Sequence, residues 1–187
     1  MTPRAVIIGP PGAGKTTVGT LLAERLGVQF ADSDTLVEQR AGKTISELFT
    51  ADGEDTFRDL EQRVIADLLA GEDGVIALGG GAVMATRTQQ LLRGHPVVLL
   101  GVGLSEGVRR TGMSVARPLL VGVNPRATYR ELLEARLPVY RSVSHVEIGT
   151  DERSPEQVVA EIVDSLPPPG EQPDNAITPA RNGVNDD

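Results

Sequence analysis

Residues 9–16 read Gly9-Pro10-Pro11-Gly12-Ala13-Gly14-Lys15-Thr16. An apolar run, Ala5-Val6-Ile7-Ile8, precedes them, and Val18, Leu21, Leu22 and Leu26 follow at helical spacing. Strand, glycine-rich loop, Lys-Thr and helix is the context that makes G-x-x-x-x-G-K-[ST] a phosphate-binding loop. Glycines let backbone N–H groups turn inward and converge on an anion. The helix start adds unpaired N–H groups and a positive dipole end. Lys15 supplies a mobile charge for the β- and γ-phosphates, and the Thr16 hydroxyl can ligate Mg²⁺. A bare strand-to-helix turn with a surface lysine is the competing reading, and the three fixed positions with correct flanks argue against it.

Working outward, 187 residues fit one domain, and 40% hydrophobic content supplies a core. With no cysteine there is neither a disulfide nor a thiolate metal site. Aromatics are only 3%, so stacking on nucleic-acid bases is not the main business. The final stretch, 167–187, carries −3 of the net −8, which leaves the body acidic and argues against non-specific nucleic-acid binding. No apolar run approaches a membrane span, and the chain enters its first strand too early for a signal peptide, so a cytoplasmic protein is expected. Between Arg109 and Arg141 lie seven arginines against two acids, Glu131 and Glu134. That positive stretch in an acidic protein is read as an anion site, with a solvated helix face as the alternative.

Gly27 to Ala31 forms a helix stop and a second strand, ending in Asp32-Ser33-Asp34. Carboxylates at a strand's carboxyl end sit where open α/β sheets bind ligands. One could hold Mg²⁺ through water and the other receive a hydroxyl proton. Alternatively, either could cap the helix expected over 35–40. Thr44 and Glu47 have capping-box spacing, and Phe57, Leu60, Val64 and Leu68 mark a longer helix. Arg58 can pair with Glu61 at i,i+3, most often a weak surface bridge. A third strand, 75–78, runs into Gly79-Gly80-Gly81, where backbone can approach a ligand closely. A short helix over 86–93, a fourth strand over 96–100 and a helix capped by Ser105 follow. The segment about 112–124 is expected to be a mobile lid carrying Arg117. In the next helix, 126–141, Arg136 falls on the apolar stripe of Tyr129, Leu132, Leu133, Leu137 and Tyr140. An arginine there needs an anion, either a structural carboxylate or a substrate carboxylate. Pro138 is expected to kink that helix or mark its last turns. A fifth strand over 143–148 and a helix opened by Ser154-Pro155 precede a tail, 167–187, read as disordered. The result is a three-layer α/β fold of the P-loop nucleoside triphosphate-binding class, with a five-stranded parallel sheet over 1–166.

In order, GPPGAGKTT, Asp32-Ser33-Asp34, DGEDTFRDLE (52–61), LGGGAV (78–83), RPLL (117–120) and RLPVY (136–140) resemble the shikimate kinase family. The resemblance implies transfer of the γ-phosphoryl of ATP to the 3-hydroxyl of shikimate, in aromatic amino-acid biosynthesis. It implies nucleotide contacts at Gly12, Ala13, Gly14, Lys15, Thr16 and Thr17, a lid contact at Arg117, adenine-flanking positions at Arg110 and Pro155, and a further candidate at Arg153. Thr16 matches the Mg²⁺ ligand and Asp32 the carboxylate near it. Asp34 matches the base that also binds the shikimate hydroxyls, while Arg58, Gly79, Gly80, Gly81 and Arg136 line the substrate. Lys15, Asp34 and Arg117 are thus the expected catalytic groups in a monomer. A gluconate-type kinase of the same fold is the nearest rival. A nucleoside monophosphate kinase fits less well for want of aromatics, and a nucleotide-binding switch without turnover is the rival of another class.

Overall fold

The computed structural model describes residues 3–71, 73–112, 124–168, 171 and 173. Its elements run β1 Ala5–Ile8, α1 Lys15–Leu26, β2 Gln29–Asp32, α2 Ser33–Ala41, α3 Ile45–Ala51, α4 Glu54–Ala70 and β3 Gly74–Ala77. A 3₁₀ turn at Ala82–Met84 leads to α5 Thr86–Leu91, β4 Val97–Gly101, α6 Leu104–Gly112, α7 Pro125–Val143, β5 Val146–Gly149 and α8 Pro155–Ser165. All strands are parallel, in the order β2-β3-β1-β4-β5. The expected three-layer architecture is therefore present.

Strand alternation explains the layers. In β1, Ala5 and Ile7 point to one face, where they pack with Val98, Leu100 and Ile148 against α1 and α8. Val6 and Ile8 point to the other, with Val97, Leu99, Ile65, Leu69 and Tyr140 from α4 and α7. Buried on both sides, the central strands read as continuous apolar runs. A smaller cluster of Val37, Leu48, Phe57 and Val64 ties α2, α3 and α4 together beside the sheet. Among the described residues, no helix is long and apolar enough to cross a membrane.

Several boundaries differ from expectation. Helix α2 begins at Ser33, because Asp32 is its cap: the carboxylate accepts from Asp34 N at 3.0 Å. Ser105 lies inside α6, one residue after its start, and its hydroxyl meets Arg126 at 3.2 Å. Asn124 caps α7, with Pro125 in its first turn. Pro138 lies in the helix's last turns, one of the two expectations for it, but the helix runs past 141 to Val143, so the fifth strand starts only at Val146. The lid expected between Gly112 and Asn124, with Arg117, and nearly all of the tail lie outside the described residues.

Candidate active site

The glycine-rich loop connects β1 to α1. Gly14 caps α1 with a left-handed φ of 87° and offers no side-chain hydrogen bond, so the first turn keeps its donors for an anion. At Gly9 a Cβ would sit 2.5 Å from the carbonyl oxygen of Leu100, so only glycine lets the loop leave β1 there. Lys15 Nζ folds over its own loop, donating to Gly9 O at 2.9 Å and Pro10 O at 3.1 Å. Thr16 Oγ1 donates to Asp32 Oδ2 at 2.9 Å. Asp32 therefore caps α2, as one of its sequence readings has it, and also accepts from Thr16 at the edge of the loop.

Arg110 of α6 reaches the same loop, donating to Gly12 O at 3.2 Å, Thr150 Oγ1 at 3.1 Å and Thr150 O at 3.2 Å. Glu106 lies 2.7 Å from Arg110 and 2.5 Å from Arg109. Hydrogen bonds from Arg109 and then Arg110 hold its pKa down to about 2. Arg141 is likewise bound to Glu147, at 2.7 Å. Three arginines of the arginine-rich stretch, Arg109, Arg110 and Arg141, are thus paired with Glu106 and Glu147. Arg153, just before α8, turns onto that helix, donating to Gln157 O at 3.2 Å and pairing with Glu161 at 2.6 Å. Pro155 opens α8 behind the Ser154 capping box.

A second cluster is built around Gly79-Gly80-Gly81, just beyond β3. Gly79 N donates to the buried Ser33 Oγ at 2.9 Å. A Cβ on Gly79 would collide with the Asp34 carboxylate, and one on Gly81 would lie 3.0 Å from Arg58 Nη2. Arg136 Nη1 donates to Gly80 O at 3.0 Å, and the Tyr140 hydroxyl donates to the same oxygen. A Cβ on Gly80 would stand 3.5 Å from Pro11 Cδ. Five side chains from three helices therefore meet on the three-glycine segment, beside the phosphate loop. Neither of the sequence alternatives for Arg136 is what the described residues show as its hydrogen-bond partner: that partner is a backbone carbonyl.

Arg58 is no surface bridge. Its Nη1 lies 2.7 Å from Glu61 Oε2, and Glu61 is only 2% exposed. The guanidinium also stacks 5.0 Å from the Phe57 ring centroid. Burial pushes the Glu61 carboxyl above its usual range and Asp34 adds to this, while Arg58 and Arg136 pull it back. A buried carboxylate thus sits among Arg58, Asp34 and Arg136.

A family model described as shikimate kinase matches residues 11–167. The chain belongs to the shikimate kinase family. A shikimate kinase of Saccharopolyspora erythraea is 60% identical over 166 residues, 89% of this chain and 95% of its own. One of Rhodococcus erythropolis is 48% identical over 89% and 98% of the two chains. A solved shikimate kinase from Acinetobacter baumannii, in complex with shikimate, superposes with a TM-score of 0.83 at 37% identity, over 88% of this chain and 92% of that one. The kinase is a phosphotransferase that uses ATP and shikimate, in the shikimate pathway of aromatic amino-acid biosynthesis. Neither the gluconate-type reading nor the non-catalytic switch survives that assignment.

Four residues bonded to these two loops or to Arg58 escaped the sequence reading. Ser33 was only the middle of the D-S-D motif, and Glu61 was only a helix-face partner. Tyr129 and Tyr140 were counted as apolar stripe. The one usable signal was Tyr140, which falls four residues after Arg136 on the same face.

Proposed function

We propose that Asp34, Arg58, Gly80 and Arg136 bind shikimate, and that Gly12 to Thr17 with Lys15 hold the ATP phosphates. The convergence of Asp34, Arg58 and Arg136 on the three-glycine segment, in contact with the phosphate loop, carries this reading. Arg136 and Arg58 take the substrate carboxylate, which a fork of guanidinium donors suits. Asp34 faces the 3-hydroxyl. That oxygen forms a bond to the γ-phosphorus as the bond to the bridging β–γ oxygen breaks, ADP leaves, and the hydroxyl proton passes to Asp34. The product is shikimate 3-phosphate. Lys15 and Arg117 offset the charge spread over the moving phosphoryl group.

Thr16 and Asp32 fit Mg²⁺, since a hydroxyl and a carboxylate oxygen already meet at the loop's edge and hard oxygen donors suit that ion. When bound, it supplies charge neutralisation on the phosphates. Arg110 and Pro155 flank the adenine, with Arg153 at the periphery. ATP dependence supports a cytoplasmic location.

A coupled assay of ADP release, run with and without shikimate, tests the reaction. Release that depends on shikimate is expected; release with gluconate alone overturns it. In the same assay Asp34→Asn should cut turnover by about two orders of magnitude or more with ATP binding intact. Near-normal turnover would remove Asp34 from its role.

A further inference from the structure

We propose that α7 is a brace that sets both halves of the active site, with Tyr129 and Tyr140 as its positioning residues. The two tyrosines are eleven positions apart, three turns of one helix, so they share a face and stand about 16 Å apart along it. Both are fully buried. The Tyr129 hydroxyl donates to Pro11 O at 2.7 Å, inside the phosphate loop. The Tyr140 hydroxyl donates to Gly80 O, inside the acceptor segment. One helix therefore holds a backbone carbonyl in each half-site.

The fit around Tyr129 is built for this. It lies across Gly107 of α6, where any Cβ would overlap the ring and its hydroxyl. A glycine at that point lets the ring lie flat between α6 and the phosphate loop. A buried carbonyl deprived of its donor is costly, so the Tyr129 hydroxyl fixes where the phosphate loop can sit, and the Tyr140 hydroxyl adds to the hold on the half-buried Gly80. At Gly80 the constraint is doubled, because Arg136 from the same helix shares the oxygen. The two tyrosines act through loop backbone, Tyr129 on the nucleotide side and Tyr140 on the acceptor side. The inference rests on the assignment of those two loops to ATP and shikimate.

Tyr129→Phe and Tyr140→Phe, made in the full chain, separate the two arms. Each keeps the ring and loses only the hydroxyl. ADP and shikimate affinities are measured by calorimetry, with melting temperature followed alongside. Y129F should weaken ADP binding about five- to tenfold and leave shikimate within twofold; Y140F should do the reverse. Gly107→Ala displaces the ring without deleting the hydroxyl. It should weaken ADP binding too, and add little to Y129F in the double variant. Lower melting temperatures with both affinities unchanged would mean packing alone and overturn the brace. Equal losses for both ligands in each variant would overturn it as well. Lys15→Ala and Arg136→Ala are the reference. If they leave ADP and shikimate affinity unchanged, the loop assignment fails; if they weaken binding while the tyrosine variants do not, only the brace fails.

Discussion

At the scale of single residues, Glu61 is the group whose chemistry the site depends on most indirectly. It is 2% exposed and holds Arg58 at 2.7 Å, with Asp34 and Arg136 also facing it. Burial raises its pKa above the ordinary 4.5. The folded state therefore binds this proton more tightly than the unfolded chain does. Its contribution to stability is greatest below 4.5 and declines as pH rises through the raised value. Function runs the opposite way, because only the ionised carboxylate pins Arg58. Shikimate affinity should fall on the acid side at a pH where an ordinary glutamate is still ionised. Glu61→Gln should weaken shikimate binding about tenfold at pH 7 and lose that acid limb, whereas Asp34→Asn should keep it. Titrations of shikimate from pH 5 to 8 decide this, and an unchanged limb in E61Q would refute it. Arg136 stood out in the sequence because a charge on an apolar stripe breaks a period. The burial of Glu61 did not, since an i,i+3 ion pair looks the same whether its helix faces water or a substrate. The tyrosine hydroxyls were hidden for a different reason: their partners lie 118 and 60 residues away in the chain.

At the scale of elements, local rules worked where local chemistry decides. The Thr44–Glu47 capping box forms with both of its bonds, and Gly42 closes α2 with a left-handed φ of 64°. Pro138 lies in the final turns of α7, before Val143, as one of its two sequence readings has it. Local rules failed at Ser105, which lies inside α6 rather than capping it and accepts from Arg126 instead. Helix α5 carries a further consequence of packing. Thr88 is fully buried, and its hydroxyl has no hydrogen-bond partner among the described residues. An unpaired buried hydroxyl costs about 1–3 kcal/mol, which an isosteric methyl removes. Thr88→Val should therefore stabilise the protein by about 1 kcal/mol, raising the melting temperature by roughly 2–4 °C, with activity unchanged. A lower melting temperature in a calorimetric scan would show that the hydroxyl is satisfied after all.

At the scale of the whole molecule, the strand order places three loops at one edge. β1 is central, and the segments after β1, β2 and β3 supply the phosphate loop, Asp32 to Asp34 and the three glycines. This much was legible in the sequence, because each motif follows an apolar run and parallel strands send their carboxyl ends to one side. Strand order was not, since periodicity says nothing about which strands pair. Adjacency has an energetic consequence. Gly80 lies against Pro11, and both carbonyls are tied to α7, so ordering one loop removes part of the cost of ordering the other. Each ligand alone stabilises the fold by mass action, about 2.7 kcal/mol at one hundred times its dissociation constant, or roughly 5–10 °C for a chain of this size. ADP and shikimate together should exceed the sum of their separate shifts, because their binding is positively coupled. The same scan with gluconate in place of shikimate should show the ADP shift alone. A strictly additive result with shikimate would mean that the two loops, though in contact, settle independently.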